Sequence, residues 1–166
     1  MRRVSRRSRQ LRRYVSMRQE IQNPFLGNTC FFCGTDNHHG LQLKFYWDDE
    51  RQETSTEYIP APQYAGLGTI LHGAIQTGLL DEIMGWSTFV HTHAMAVTSD
   101  LAIKFLSPVY IRGNPVTVTC RLLSREGPNV HMQAMLTNSE GVVCTTATGT
   151  FHIVSANRYQ ALVQGQ

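Results

Sequence analysis

Apolar residues recur along this chain with two different periods. Between residues 70 and 86 they return every three or four positions (Ile70, Leu71, Ala74, Ile75, Leu79, Leu80, Ile83, Met84), which predicts one long helix with Thr69 as its N-cap. Its apolar arc is too wide for a surface helix, so the helix should be buried. Elsewhere the period shortens to two. Residues 41–47 read as a strand, Asp48-Asp49-Glu50 as a tight turn, and 52–59 as the hairpin partner, with Thr54, Thr56 and Tyr58 alternating against Glu53, Ser55 and Glu57. Past the helix come four more strand-like segments, 94–106, 116–125, 130–138 and 142–154. Turn formers at Pro108, Gly113-Asn114-Pro115, Gly127-Pro128-Asn129 and Ser139-Glu140-Gly141 separate them. The meander-like spacing leaves no room for crossover helices, so the sheet should be antiparallel. A strand pair, one buried helix and four strands make an α+β domain in which a curved antiparallel sheet wraps one helix.

Parity along residues 94–106 puts Met95, Val97, Leu101, Ile103 and Phe105 on the core face. Thr98, Asp100 and Lys104 then point away from it, unless a bulge intervenes.

The 166 residues suit one domain, and 42% hydrophobic against 16% charged is a globular composition sparing in surface charge. No apolar run approaches the roughly 18 residues of a membrane span. The net charge of +3 is concentrated: Arg2, Arg3, Arg6, Arg7, Arg9, Arg12, Arg13 and Arg18 precede the first acid, Glu20. Such a start can be a transit peptide, a contact for nucleic acid or an anionic surface, or a solvated extension. It is too short for a helix-turn-helix, which argues against DNA. Asn23-Pro24 breaks the chain, giving an extension over 1–23, a domain over 24–157 and a tail over 158–166. Cys30, Cys33, Cys120 and Cys144 make no disulfide framework and follow no secretory segment, so a reducing cytoplasm is expected.

The chemistry centres on Leu71-His72-Gly73-Ala74-Ile75-Gln76-Thr77-Gly78-Leu79-Leu80-Asp81-Glu82. This string resembles the His-Gly-Gly signature of PaaI-type hot-dog-fold acyl-CoA thioesterases, in which a His-Gly pair opens the central helix and an acid follows nine positions after the His. Cys30-Phe31-Phe32-Cys33-Gly34 with Asn37 and Gly40-Leu41 looks like the entry segment of one subgroup. Thr98-Ser99-Asp100-Leu101 and Phe105-Leu106-Ser107-Pro108-Val109 look like its strand after the helix. The resemblance spans residues 28–153. It implies a hot-dog fold, hydrolysis of acyl-CoA with no metal or other cofactor, a homodimer or homotetramer, and Asp81 as the catalytic carboxylate.

Physical chemistry points the same way. An acid on an apolar helix is costly if ionised and unpaired, and such a carboxylate can attack a thioester or activate water. Glu82, about 100° further round the helix, is expected at solvent or the sheet rim. At His72-Gly73 the helix-start N–H groups suit an oxygen gaining negative charge. Gly73 allows close approach, and Ala74, where the signature has Gly, is still small. By the same resemblance, Thr98 matches a hydroxyl position that in related thioesterases helps place the acid or its water. Asn37 and Gly40 belong to a loop expected to cap the acyl pocket. Lys104, Arg112, Arg121 and Arg125 are candidates for the coenzyme A phosphates. The Cys30/Cys33 pair near His38 and His39 invites a zinc reading, but the His spacing and the lack of a second such pair speak against it.

Hydrolysis of an acyl thioester is the reading these residues favour. A hot-dog hydratase or dehydratase is the rival among enzymes. A non-catalytic acyl-CoA-binding dimer, touching nucleic acid through its arginines, is the rival outside them.

Overall fold

The computed structural model describes residues 18–24 and 28–164. The arginines from Arg2 to Arg13 therefore lie outside the described residues. Seven strands form one antiparallel sheet: β1 (Arg18–Glu20), β2 (Tyr46–Asp48), β3 (Glu53–Tyr58), β4 (Ala96–Phe105), β5 (Val116–Glu126), β6 (Asn129–Thr137) and β7 (Val143–Ile153). Their order is β1-β2-β3-β5-β6-β7-β4. A long helix, α1 (Gly73–Thr92), packs against β3 to β7, and a short one, α2 (Ala156–Val163), follows the last strand. This is the hot-dog architecture.

The four long strands fall where the two-residue period puts them. In β6 the alternation is clean, with Val130, Met132, Ala134 and Leu136 all buried. They meet Leu79, Leu80, Ile83 and Met84 of α1, none of which has measurable exposure. The sheet departs from a plain meander in one respect: β4 lies beyond β7 at the edge, while β5 continues from β3.

Three boundaries differ from the sequence expectation. The helix starts at Gly73 with His72 as N-cap, rather than near Ile70 with Thr69, and it runs past Trp86 to Thr92. Ile70 and Leu71 are apolar because they pair with Tyr110 and Ala65 in isolated bridges beside the core, which a helical period cannot distinguish. The segment 41–47, in which Gln42 turns the backbone to a positive φ of 48°, ladders only from Tyr46. Before that its N–H groups go to the preceding loop, Leu41 to Phe31 O and Leu43 to Phe32 O. Finally, Arg18–Glu20 already pairs with β2, so the sheet begins before Asn23-Pro24.

The strand β4 carries an irregularity between Thr98 and Asp100: Thr98 pairs with Phe151 and Asp100 with Thr150, leaving Ser99 as an extra residue. It corrects the parity reading. Ala96 packs against the core, as do Leu101 and Ile103 beyond the bulge. Val97 and Phe105 are exposed, at 44% and 57%.

Candidate active site

Asp81 lies in the middle of α1, and the bulge turns Thr98 towards it. The Thr98 hydroxyl donates to Asp81 Oδ1 at 2.8 Å. The second carboxylate oxygen makes no hydrogen bond among the described residues and remains available to a ligand. Both residues line a cavity of about 580 Å³ between α1, β4 and the loop that holds Cys30. Phe89, Met95 and Phe151 give it apolar walls, and Tyr159 of α2 also lines it. A pocket of this size, with apolar walls at one part and polar groups at another, suits a small molecule or an acyl chain with a polar head.

Glu82 is not at the solvent rim. The step of about 100° from Asp81 carries it under the loop 28–40, where it accepts from Trp86 Nε1 at 3.1 Å. Its oxygens also lie 3.7 and 3.9 Å from Cys30 Sγ. Burial is the main reason its carboxyl is pushed up to about 7, and the neighbouring thiol and Asp81 add to the effect. Sequence reasoning missed this because the burial depends on a loop more than 40 residues away.

The same loop pairs its two cysteines. A hydrogen bond from Cys33 is the largest cause holding the Cys30 thiol down, to about 5, and it pushes the Cys33 thiol up. The Phe32 N–H also points at Cys30 Sγ, at 3.4 Å. Cys30, Cys33 and Glu82 present one ligand atom each within 4.8 Å of one another. His38 and His39, the partners considered from sequence, are exposed in the loop and outside this group.

The helix start is a separate place. His72 caps α1 by accepting the Ala74 N–H on Nδ1 at 2.9 Å, and its carbonyl accepts from Ile75 and Gln76. That leaves the Gly73 N–H without a partner among the described residues, so it is the one helix-start donor open to a ligand. The Phe105 ring lies over Gly73: a Cβ there would come within 3.3 Å of it. Behind the helix start, buried Gln76 ties the first turn to β7 and to the Leu71 carbonyl through Thr145 Oγ1 and its own Nε2. None of His72, Gly73 or Ala74 lines the Asp81 cavity.

Asn37 and Gly40 shape their loop rather than reach the cavity. Asn37 accepts from the His39 N–H and donates to the Thr29 carbonyl. A Cβ on Gly40 would come 2.5 Å from the Phe31 carbonyl oxygen. Lys104 is exposed on β4, also away from the cavity, and Arg121 is engaged by Glu53 at 2.9 Å. One subunit thus joins Asp81 to Thr98 and joins neither to the helix start, Asn37, Gly40 or Lys104.

Residues 68–145 match the family model of the thioesterase superfamily. A search of curated proteins finds no match. Among solved structures, the Escherichia coli PaaI protein from the phenylacetic acid degradation operon is similar at 17% identity and a TM-score of 0.62, over 69% of this chain and 81% of that one. A Streptococcus mutans protein solved bound to acetyl CoA is similar at 18% identity and 0.58, over 63% and 82%. A further thioesterase superfamily protein aligns over 91% of this chain and 85% of its own, at 16% identity and 0.68. At these identities the structural likeness establishes the fold.

Proposed function

From the match of residues 68–145 to the thioesterase superfamily model on a hot-dog fold, we propose that this chain is a member of that superfamily and hydrolyses an acyl-CoA to the free acid and coenzyme A, with Asp81 as general base or nucleophile. The observation that carries this reading is the Thr98–Asp81 hydrogen bond in the wall of the Asp81 cavity. Thr98 fixes one carboxylate oxygen and leaves the other to attack the thioester carbon or take a proton from water. The Gly73 N–H is the donor for the developing oxyanion.

Within one subunit that donor lies too far from Asp81 to serve the same carbonyl, so the working unit is two copies. The outer edge of β4 supports this. It is ten residues long, unpaired among the described residues, and carries exposed Val97 and Phe105 with exposed Leu106 just after it. Such an edge calls for a partner strand. A twofold pairing along β4 brings the helix start of each copy towards the cavity of the other.

Glu82 favours a second reading of the acid. A carboxyl titrating near 7 is matched to proton transfer at neutral pH. Thiol release from a panel of acyl-CoA substrates, run on the native chain, Asp81→Asn and Glu82→Gln, tests both readings. Acyl-CoA that binds without any thiol release would instead make the chain a binding protein. Enoyl-CoA hydration in its place would make it a hydratase.

A further inference from the structure

We propose that Cys30, Cys33 and Glu82 form a zinc site in the wall of the cavity that Asp81 also lines. This goes beyond the hydrolase reading and does not depend on it. Two thiols and a carboxyl place one donor atom each within 4.8 Å of one another. Two Zn–S bonds of about 2.3 Å at the tetrahedral angle set their sulfurs about 3.8 Å apart. The Cys30 Sγ to Glu82 distances, 3.7 and 3.9 Å, are already near that scale.

The backbone prepares this arrangement. The Gly34 N–H closes a turn onto the Cys30 carbonyl at 2.9 Å, so that both thiols face Glu82. A Cβ at position 34 would come 2.5 Å from that carbonyl oxygen. The Phe32 N–H and Asn28 Nδ2 each stand 3.4 Å from a sulfur, as outer donors to a metal-bound thiolate do. Trp86 Nε1 holds one Glu82 oxygen in the same way. Three groups able to become anions crowd together here, yet no Lys, Arg or His lines the cavity and Glu82 makes no ion pair among the described residues. A divalent cation supplies the missing charge. Sulfur donors select zinc over magnesium or calcium. Three protein ligands leave a fourth position open to whatever occupies the cavity.

The test uses the full chain, reduced and stripped with chelator, and titrated with Zn²⁺ against a chromophoric chelator. Co²⁺ serves in parallel as a spectroscopic probe, because only thiolate ligation gives an intense near-ultraviolet charge-transfer band. We expect one zinc per chain. Cys30→Ser, Cys33→Ser and Glu82→Gln should each weaken it at least about tenfold, since even outer partners of a metal site are worth that much. Paired His38→Ala and His39→Ala should leave it unchanged. Zinc should raise the Tm of the native chain and not that of Cys30→Ser, which separates lost binding from lost folding. No zinc uptake by the reduced native chain overturns the proposal. So does undiminished binding in Cys30→Ser, a loss of binding in the histidine variants, or a Co²⁺ complex without the charge-transfer band.

Discussion

Thr98 reaches Asp81 across 2.8 Å only because Ser99 is an extra residue in β4. In an unbroken strand, positions 98 and 101 lie on opposite faces, and Leu101 belongs to the core. The bulge lets both face α1, so the strand that closes the hydrophobic core also delivers a hydroxyl to the acid.

Replacing Thr98 with valine should keep the fold and lower kcat by about ten- to a hundredfold, the range for a lost hydrogen bond to a charged group. Thr98→Ser should restore most of it. Valine with native turnover, measured by thiol release, would mean that the hydroxyl does not position the acid.

Asp81→Asn should cost at least about a hundredfold in kcat, the scale of a lost general base, with the circular dichroism spectrum unchanged. Glu82→Gln is the comparison. If Glu82→Gln is the dead variant and Asp81→Asn turns over normally, the catalytic carboxylate is the one beneath the cysteine loop.

The raised pKa of Glu82 predicts a direction for stability against pH in the metal-free protein. Its ordinary value is 4.5 and its folded value about 7, so between them the folded state holds more protons than the unfolded one. Stability should therefore fall as pH rises through that window, by at most about 3 kcal/mol from this group. Denaturant midpoints of the native chain and Glu82→Gln, taken from pH 5 to 8, should diverge. The glutamine variant should lack this component of the fall. Parallel curves would show that Glu82 is not desolvated.

How far the sequence could be read follows from where each signal comes from. The long strands and the core of α1 depend on local periodicity, so they were legible, while the candidate acid Asp81 rests on a local string. The place of β4 beyond β7, the bulge at Ser99 and the burial of Glu82 depend on segments meeting that are far apart in sequence. Parity counting fails at one inserted residue, and it sent Val97 inward and Thr98 outward. The sequence reading places Tyr159 in a tail, whereas it belongs to α2, which Ser155 caps by accepting from the Arg158 N–H. That capping serine was the signal available for it.

Gly78 should resist enlargement. A Cβ there would overlap the Phe32 ring, and Phe32 belongs to the loop that carries both cysteines. Gly78→Ala should lose about 1–3 kcal/mol to overpacking, with about 1 kcal/mol returned by helix propensity. The loop should shift with it, seen as altered alkylation of Cys30, the most acidic of the four thiols. A more stable variant with unchanged Cys30 labelling would show that Phe32 moves aside freely.

The active site should draw on two chains. Eight residues of helix separate Gly73 from Asp81, about 12 Å along the axis, whereas a thioester carbonyl and its attacker must sit about 3 Å apart. Complementation tests this. Gly73→Pro suits the purpose, because proline is favoured at the first helical position and lacks the N–H in question. The extended backbone of His72 (φ −57°, ψ 136°) already has the conformation that precedes proline. Phe105, which lies over this position, is exposed enough to give way. Each variant alone should be nearly inactive. After exchange, a heterodimer of Asp81→Asn with Gly73→Pro holds one site with Asp81 and the Gly73 N–H both intact, and one with neither. Activity per heterodimer should recover to about half that of the native dimer. If isolated heterodimers stay inactive while both parents remain folded and dimeric, the acid and the helix-start donor act within a single chain.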